Sequence, residues 1–200
     1  KDQFGLRYFT DIPMNVGLAG SSAIVMAALR VLGKFHKFKW TWQSLAEATL
    51  TAEIKYLGII AGPMDRWIQA QEKFIWMNFS KNKTKIISDK MLPSFRILIS
   101  SKPGKSSGSV HAPVMERWNR GDPFVKKVID EYVILVEKGL EALLSGDFFG
   151  LAECMDRNFE LRSSLFNIES GDQEIIDLCK MHGAAAKFCG SGGAIISLMK

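Results

Sequence analysis

Asp11-Ile12-Pro13-Met14-Asn15-Val16-Gly17-Leu18-Ala19-Gly20-Ser21-Ser22-Ala23-Ile24-Val25-Met26-Ala27-Ala28-Leu29 runs unbroken from an apolar strand, through a glycine-rich turn with two hydroxyls, into an apolar helix. Glycines at 17 and 20 allow positive φ and close approach of the backbone to an anion. Ser21 and Ser22 fall where the helix starts, with unpaired N–H groups and the positive end of the dipole facing outward. That combination reads as a phosphate cradle. Hydroxyls beside a phosphate also suit magnesium, which prefers oxygen ligands and keeps several waters. The ligand so indicated is a nucleoside triphosphate. The same residues would serve a plain capped helix, whose serines satisfy orphan amides. Two familiar phosphate loops are excluded: Gly20 stands where a Walker loop has Lys, and no G-x-G-x-x-G occurs.

The turn resembles the second motif of the GHMP kinase superfamily, in which a Pro leads into G-L-G-S-S-A opening a helix. Pro13 and Gly17-Leu18-Ala19-Gly20-Ser21-Ser22-Ala23 fit it, with one extra residue before the serines. The longer form G-L-x-G-S-S-A-I-V is similar to the glucuronokinase branch.

Around that turn the chain reads as alternating elements. Phe4 to Ile12 is expected as a strand, followed by a helix over Ser21 to Phe35 with Ile24, Val25, Ala28, Leu29 and Leu32 at helical spacing. A helix over Trp42 to Leu57 has Thr41 or Ser44 as its cap, and a shorter one starts near Pro63. Phe74 to Phe79 and Thr84 to Ser88 form a hairpin across Lys81-Asn82-Lys83. Met91-Leu92-Pro93 marks a boundary between domains 1–91 and 92–200. Beyond it come a strand at Phe95 to Ser100 and a loop from Ser101 to Gly108. Helices over Val110 to Asn119, Phe124 to Leu144, Phe148 to Phe166 and Gln173 to Met181 precede strands at Ala186 to Cys189 and Ala194 to Leu198. This pattern is α+β, with helices expected on one face of the second sheet.

A second constellation is Ala52-Glu53-Ile54-Lys55-Tyr56-Leu57-Gly58-Ile59-Ile60-Ala61-Gly62-Pro63-Met64-Asp65-Arg66. It sets one carboxylate late in a helix and another at the start of the next, with glycines at 58 and 62 for the turn between them. Glu53 can then reach a metal at the serine turn while Asp65 faces a substrate hydroxyl. Taken singly, Glu53 suits a solvated helix face, and Asp65 a helix N-terminus. Jointly, A-E-x-x-x-x-G-x-x-x-G-x-x-D is similar to the galactokinase-like stretch that supplies a magnesium-binding Glu and a catalytic Asp. The resemblance implies Ser22 and Glu53, with Ser21 beside them, around magnesium, and Asp65 as the residue that orients or deprotonates the sugar hydroxyl.

A third constellation, Ala185-Ala186-Lys187-Phe188-Cys189-Gly190-Ser191-Gly192-Gly193-Ala194, reads as a strand, a glycine turn and another strand. By itself it is a tight hairpin. It also looks like the third GHMP motif, K-x-x-G-A-G-x-G-G, shortened as in glucuronokinase-like sequences. The resemblance assigns Gly190, Ser191, Gly192 and Gly193 to shaping the nucleotide site together with Gly17, Leu18, Ala19, Gly20, Ser21, Ser22 and Ala23. Arg157-Asn158-Phe159-Glu160-Leu161-Arg162, and Ser107-Gly108 to Arg117-Trp118, resemble stretches of plant-type members. Arg162 is the guanidinium expected to meet a sugar carboxylate or phosphate.

Composition narrows the alternatives. Of 200 residues, 47% are hydrophobic and 24% charged, as in an ordinary globular protein, and no apolar run reaches the length of a membrane span. A net charge of +5 is spread along the chain without interleaved aromatics, which argues against a nucleic-acid platform. Cys154, Cys179 and Cys189 show neither zinc spacing nor an even count, so a reducing cytoplasm is the default setting. His36, His111 and His182 are isolated from one another. No oligomeric state is specified.

The resemblance implies a two-domain GHMP fold, an N-terminal α/β domain plus a ferredoxin-like α+β domain. It further implies ATP and magnesium as cofactors, a small sugar acid as substrate and phosphorylation of D-glucuronate at its anomeric hydroxyl. The family's first motif, P-G-x-x-x-L-x-G-E-H-x-D, has no counterpart in residues 1–10, so the chain reads as incomplete at its start. Two other readings stand beside this one. One is a kinase for galactose, galacturonate, fucose or a heptose; the other is a catalytically silent nucleotide- or sugar-binding relative.

Overall fold

The apolar spacing after the serine turn does produce a helix. In the computed structural model, which describes residues 4–100 and 107–200, α1 spans Gly20–Phe35 and buries Ser22, Met26 and Gly33. Gly33 is required by contact: the Trp40 indole lies where a Cβ would stand, and its Nε1 donates to Leu29 O at 2.9 Å. Next comes α2, Trp42–Thr51, capped by Thr41 in a reciprocal box with Ser44, so both expected cap residues take part. Its last turns widen into a π-helical segment, Ala52–Tyr56, in which Leu57 N bonds Ala52 O. Pro63 then caps α3, Met64–Gln71. β1, Ile75–Asn78, pairs antiparallel with β2, Lys83–Ile86, in the register Ile75 to Ile86.

The expected strand over Phe4–Ile12 is not formed. Those residues carry no regular secondary structure, no described strand pairs with them, and Phe4, Tyr8 and Phe9 are exposed. Apolar alternation creates a face, but a strand also needs a neighbour for its N–H and C=O groups.

Past a 3-10 turn at Asp89–Met91, β3 covers Arg96–Ile99. Most of the expected loop over 101–108 lies outside the described residues. α4 runs Ser107–Asn119, α5 Pro123–Ser145 with Asp122 as N-cap, α6 Phe148–Leu165, and α7 Ser170–Met181. β4, Ala184–Phe188, and β5, Ala194–Met199, complete a three-stranded antiparallel sheet in the order β3-β5-β4.

The α+β class is as expected, but the helices are not confined to one face of this sheet. Directly paired residues share a face. One face sets Ala184, Ala186, Phe188 and Ile195 against Ile176 and Cys179 of α7 and Phe159 of α6. Ala185 and Leu198 point the other way, and they pack on Ala152 and Met155 of α6. The reason is that α6 runs along the free edge of β4, where Asp156 Oδ1 accepts from Ala186 N at 3.3 Å. A helix that covers an edge can touch both faces, and it also protects the unpaired edge of the strand.

Two compact units result. The first comprises residues up to Met14 and Ala19–Ile87; the second comprises Asn15–Leu18 and Ser88–Lys200. The first is tied together by an aromatic series, Trp42 on Trp67 at 5.7 Å and Trp67 on Phe79 at 5.1 Å, which joins α2, α3 and the tip of the hairpin. Among the described residues, no helix is long and apolar enough to cross a membrane.

Candidate active site

In the first unit the start of α1 is built around one carbonyl. Ala19 O accepts from Ala23 N at 3.1 Å, Ser22 Oγ at 2.9 Å and Gln69 Nε2 at 3.0 Å. The amides of Gly20, Ser21 and Ser22 have no acceptor within the helix, as at any helix start, whereas that of Ala23 is committed to Ala19. Positive φ belongs to Asn15, Gly17 and Ala19 rather than to Gly20. Gly20 answers a different need, because a Cβ there would approach Ile12 Cγ2 to 3.2 Å. The chain therefore tolerates a left-handed alanine as helix N-cap, which points to a turn fixed by its surroundings.

Ser21 is exposed, and its hydroxyl donates to Glu53 Oε1 at 3.0 Å. Ser22 is buried, with its proton directed at Ala19. The fold thus joins Ser21 to Glu53 and turns Ser22 inward. Glu53 is fully buried in the π-helical segment, and Arg66 Nε donates to its Oε2 at 2.6 Å. Arg66 is 6% exposed and also donates through Nη1 to Gly62 O at 3.0 Å and to Asp65 Oδ2 at 3.3 Å. One guanidinium therefore bridges the two carboxylates singled out in the sequence. Burial raises the Asp65 pKa above the usual carboxyl range; the Arg66 charge works against that rise and the Glu53 charge adds to it.

Arg66 and Gln69 were not foreseen. Arg66 meets Glu53 across thirteen positions and an intervening turn, outside the three- and four-residue spacings at which helical partners can be read. No local signal pointed to it: Glu53 taken singly suits a solvated helix face, and only its burial in the fold calls for a cation.

The donor set fits magnesium in kind. A hydroxyl and a carboxylate are hard oxygens, and Oε1, the oxygen turned to Ser21, is the one Arg66 does not hold. The Ser22 oxygen gives its proton to Ala19 and retains lone pairs.

In the second unit, Gly190–Gly193 closes β4 onto β5 and packs on Asn15, Val16 and Gly17. A Cβ on Gly17 would come within 2.9 Å of both Gly192 O and Ser191 N, and one on Gly193 within 2.9 Å of Val16 Cα. Close backbone approach is thus why glycine stands at these points. Arg162 lies within this unit: its Nη2 donates to Ser191 O at 2.7 Å, and its guanidinium faces the rings of Phe166 and Phe188 at 4.8 and 4.5 Å.

Residues 2–71 match the family described as GHMP kinases N terminal domain. The chain overlays the crystal structure of Lactococcus lactis galactokinase complexed with galactose with a TM-score of 0.77 at 14% identity, covering 94% of this chain and 59% of that one. The family match thus places a GHMP kinase N-terminal domain at residues 2–71, and the overlay shows that the chain shares the fold of that galactokinase. The chain is also 38% identical over 206 residues to probable glucuronokinase 2 of Arabidopsis thaliana and 37% identical to glucuronokinase 1 of the same plant. Each alignment covers 96% of this chain and 56% of the relative, so the chain spans little more than half the length of these curated relatives.

Proposed function

We propose that this chain carries the phosphoryl-transfer machinery of an ATP-dependent sugar-1-kinase that converts D-glucuronate and ATP to glucuronate 1-phosphate and ADP. The observation that supports it most is the hydrogen-bonded Ser21–Glu53–Arg66–Asp65 series, with the Glu53–Arg66 pair buried, in a chain 37–38% identical to proteins named glucuronokinase. Phosphate oxygens are received by the amides of Gly20, Ser21 and Ser22, which have no helical acceptor and lie at the positive end of α1. Gly17, Leu18 and Ala19 set the path of the turn, and Gly190, Ser191, Gly192 and Gly193 back it. Glu53, with the oxygens of Ser21 and Ser22, would hold magnesium; the chemistry the ion supplies when bound is neutralisation of charge on the phosphate oxygens.

Asp65 accepts the proton of the anomeric hydroxyl as that oxygen attacks phosphorus. Arg66 lies against both Glu53 and Asp65, and its charge opposes the rise that burial and the Glu53 charge give the Asp65 pKa. Catalysis in this scheme is positioning and electrostatic stabilisation, as expected for phosphoryl transfer.

The test is ADP release by the full chain with magnesium-ATP and a panel of D-glucuronate, galacturonate, galactose, fucose and a heptose, with loss of the reducing end scored in parallel. Turnover on glucuronate with loss of reducing power supports the reading. Turnover on another sugar alone moves the substrate, and nucleotide binding without turnover on any sugar favours a silent relative.

A further inference from the structure

The Gly190–Gly193 turn has little side-chain bulk of its own, and two of its glycines take positive φ, Gly192 at 141° and Gly193 at 84°. Such a segment is soft unless it is held from outside. It is held at two points by opposite charges from different helices. Arg162 of α6 donates to Ser191 O at 2.7 Å, and Asp172 of α7 accepts from Gly193 N at 3.2 Å. Between these points the turn bears on the backbone of Val16 and Gly17 so closely that no Cβ fits.

Neither residue is explained by packing alone. Asp172 is buried, at 7% exposure, in the first turn of α7, yet a Ser or Asp placed there merely to cap the helix would sit at the N-cap, which is Glu169. Arg162 lies between two aromatic rings with its Nε buried and without a hydrogen-bond partner, and burial lowers its pKa from the usual arginine value. An apolar side chain would fill that place at lower desolvation cost. What the guanidinium adds is a rigid fork aimed at one backbone carbonyl, which an aliphatic residue cannot supply.

We propose that Arg162 and Asp172 are positioning residues, a two-point clamp that fixes the Gly190–Gly193 turn and, through it, the path of Val16 and Gly17. The functional part of this rests on the kinase reading above. Arg162 then acts on the site through Ser191 O and not by touching the sugar.

The experiment uses the full chain with Arg162→Met, Asp172→Ala and the conservative Asp172→Asn, which retains an acceptor oxygen for Gly193 N. Two quantities are read: amide hydrogen exchange at 190–193 against that of α6 and α7, and KM for magnesium-ATP against kcat. The clamp predicts that Arg162→Met and Asp172→Ala speed exchange at 190–193 by about tenfold or more while both helices keep their protection. It also predicts a KM rise of about tenfold with kcat within about threefold, and Asp172→Asn close to the parent on both counts. Unchanged exchange and KM in both disruptive variants would overturn it, as would equal loss of protection throughout α6 and α7. If the parent chain phosphorylates no sugar, the kinase reading fails at that step, and the exchange arm still decides whether the clamp holds the turn.

Discussion

Arg66 lies with Nε 2.6 Å from Glu53 Oε2 in an ion pair that solvent does not reach, and the same guanidinium touches Asp65. The pair joins α3 to the π-helical end of α2 and sets the charge of the candidate site. Removing one partner would strand a charge in the interior.

Arg66→Leu should therefore destabilise the chain by about 3–5 kcal/mol, whereas Arg66→Leu with Glu53→Leu should recover a large part of that loss. Denaturant unfolding of the two single variants and the double variant gives the coupling directly. A loss below about 1 kcal/mol for Arg66→Leu alone would show that the pair is not compensating a buried charge.

Asp65 provides the pH test. Its pKa is raised in the folded state by burial, so between the ordinary carboxyl range and that raised value the folded chain binds more protons than the unfolded one. Its contribution to stability is fully present below the unfolded pKa and is lost as pH rises through the folded one. Asp65→Asn should accordingly raise Tm at neutral pH and have little effect under acid. In the parent, activity should fall on the acid side with an apparent pKa above the usual carboxyl range. An acid limb that persists unchanged in Asp65→Asn would belong to another group.

Gly17 takes φ of 70°, and any Cβ there meets backbone of the 191–192 segment. Gly17→Ala should cost about 1–3 kcal/mol from the strained φ alone, with more from the displaced backbone. Gly62→Ala is the control, because a Cβ at 62 has nothing within 4 Å. Equal Tm values for the two variants would contradict the close approach.

Ser21→Ala removes the exposed hydroxyl on Glu53 Oε1 and leaves the buried Ser22–Ala19 bond intact. The magnesium concentration for half-maximal turnover should rise by about tenfold, with metal-free nucleotide affinity unchanged. A response equal to that of the parent would mean that the cation does not use this hydroxyl.

Much of this was legible in the sequence because it is local. The helix after Ser22, the Thr41 and Ser44 cap, the hairpin across Lys81-Asn82-Lys83 and the closing strands all rest on spacing and turn chemistry within a few residues. What escaped is non-local. The apolar alternation from Phe4 to Ile12 said nothing of whether a neighbouring strand exists. The placement of α6 along the β4 edge depends on Asp156, thirty residues from the amide it receives. Arg66, Gln69 and Asp172 reach carboxylate, carbonyl and amide partners thirteen to fifty positions away, where no periodicity connects them. Even at the glycine turn before α1, sequence located the glycines, yet the left-handed residue beside them is Ala19, a demand set by packing.

The most direct measurement is phosphate transfer to D-glucuronate by the full chain and by Asp65→Asn, with magnesium-ATP affinity determined for both. A proton acceptor at the sugar hydroxyl predicts turnover lower by about 100- to 10,000-fold with nucleotide affinity unchanged. Turnover preserved in Asp65→Asn, or lost in step with nucleotide binding, would contradict the assignment of Asp65 as the base.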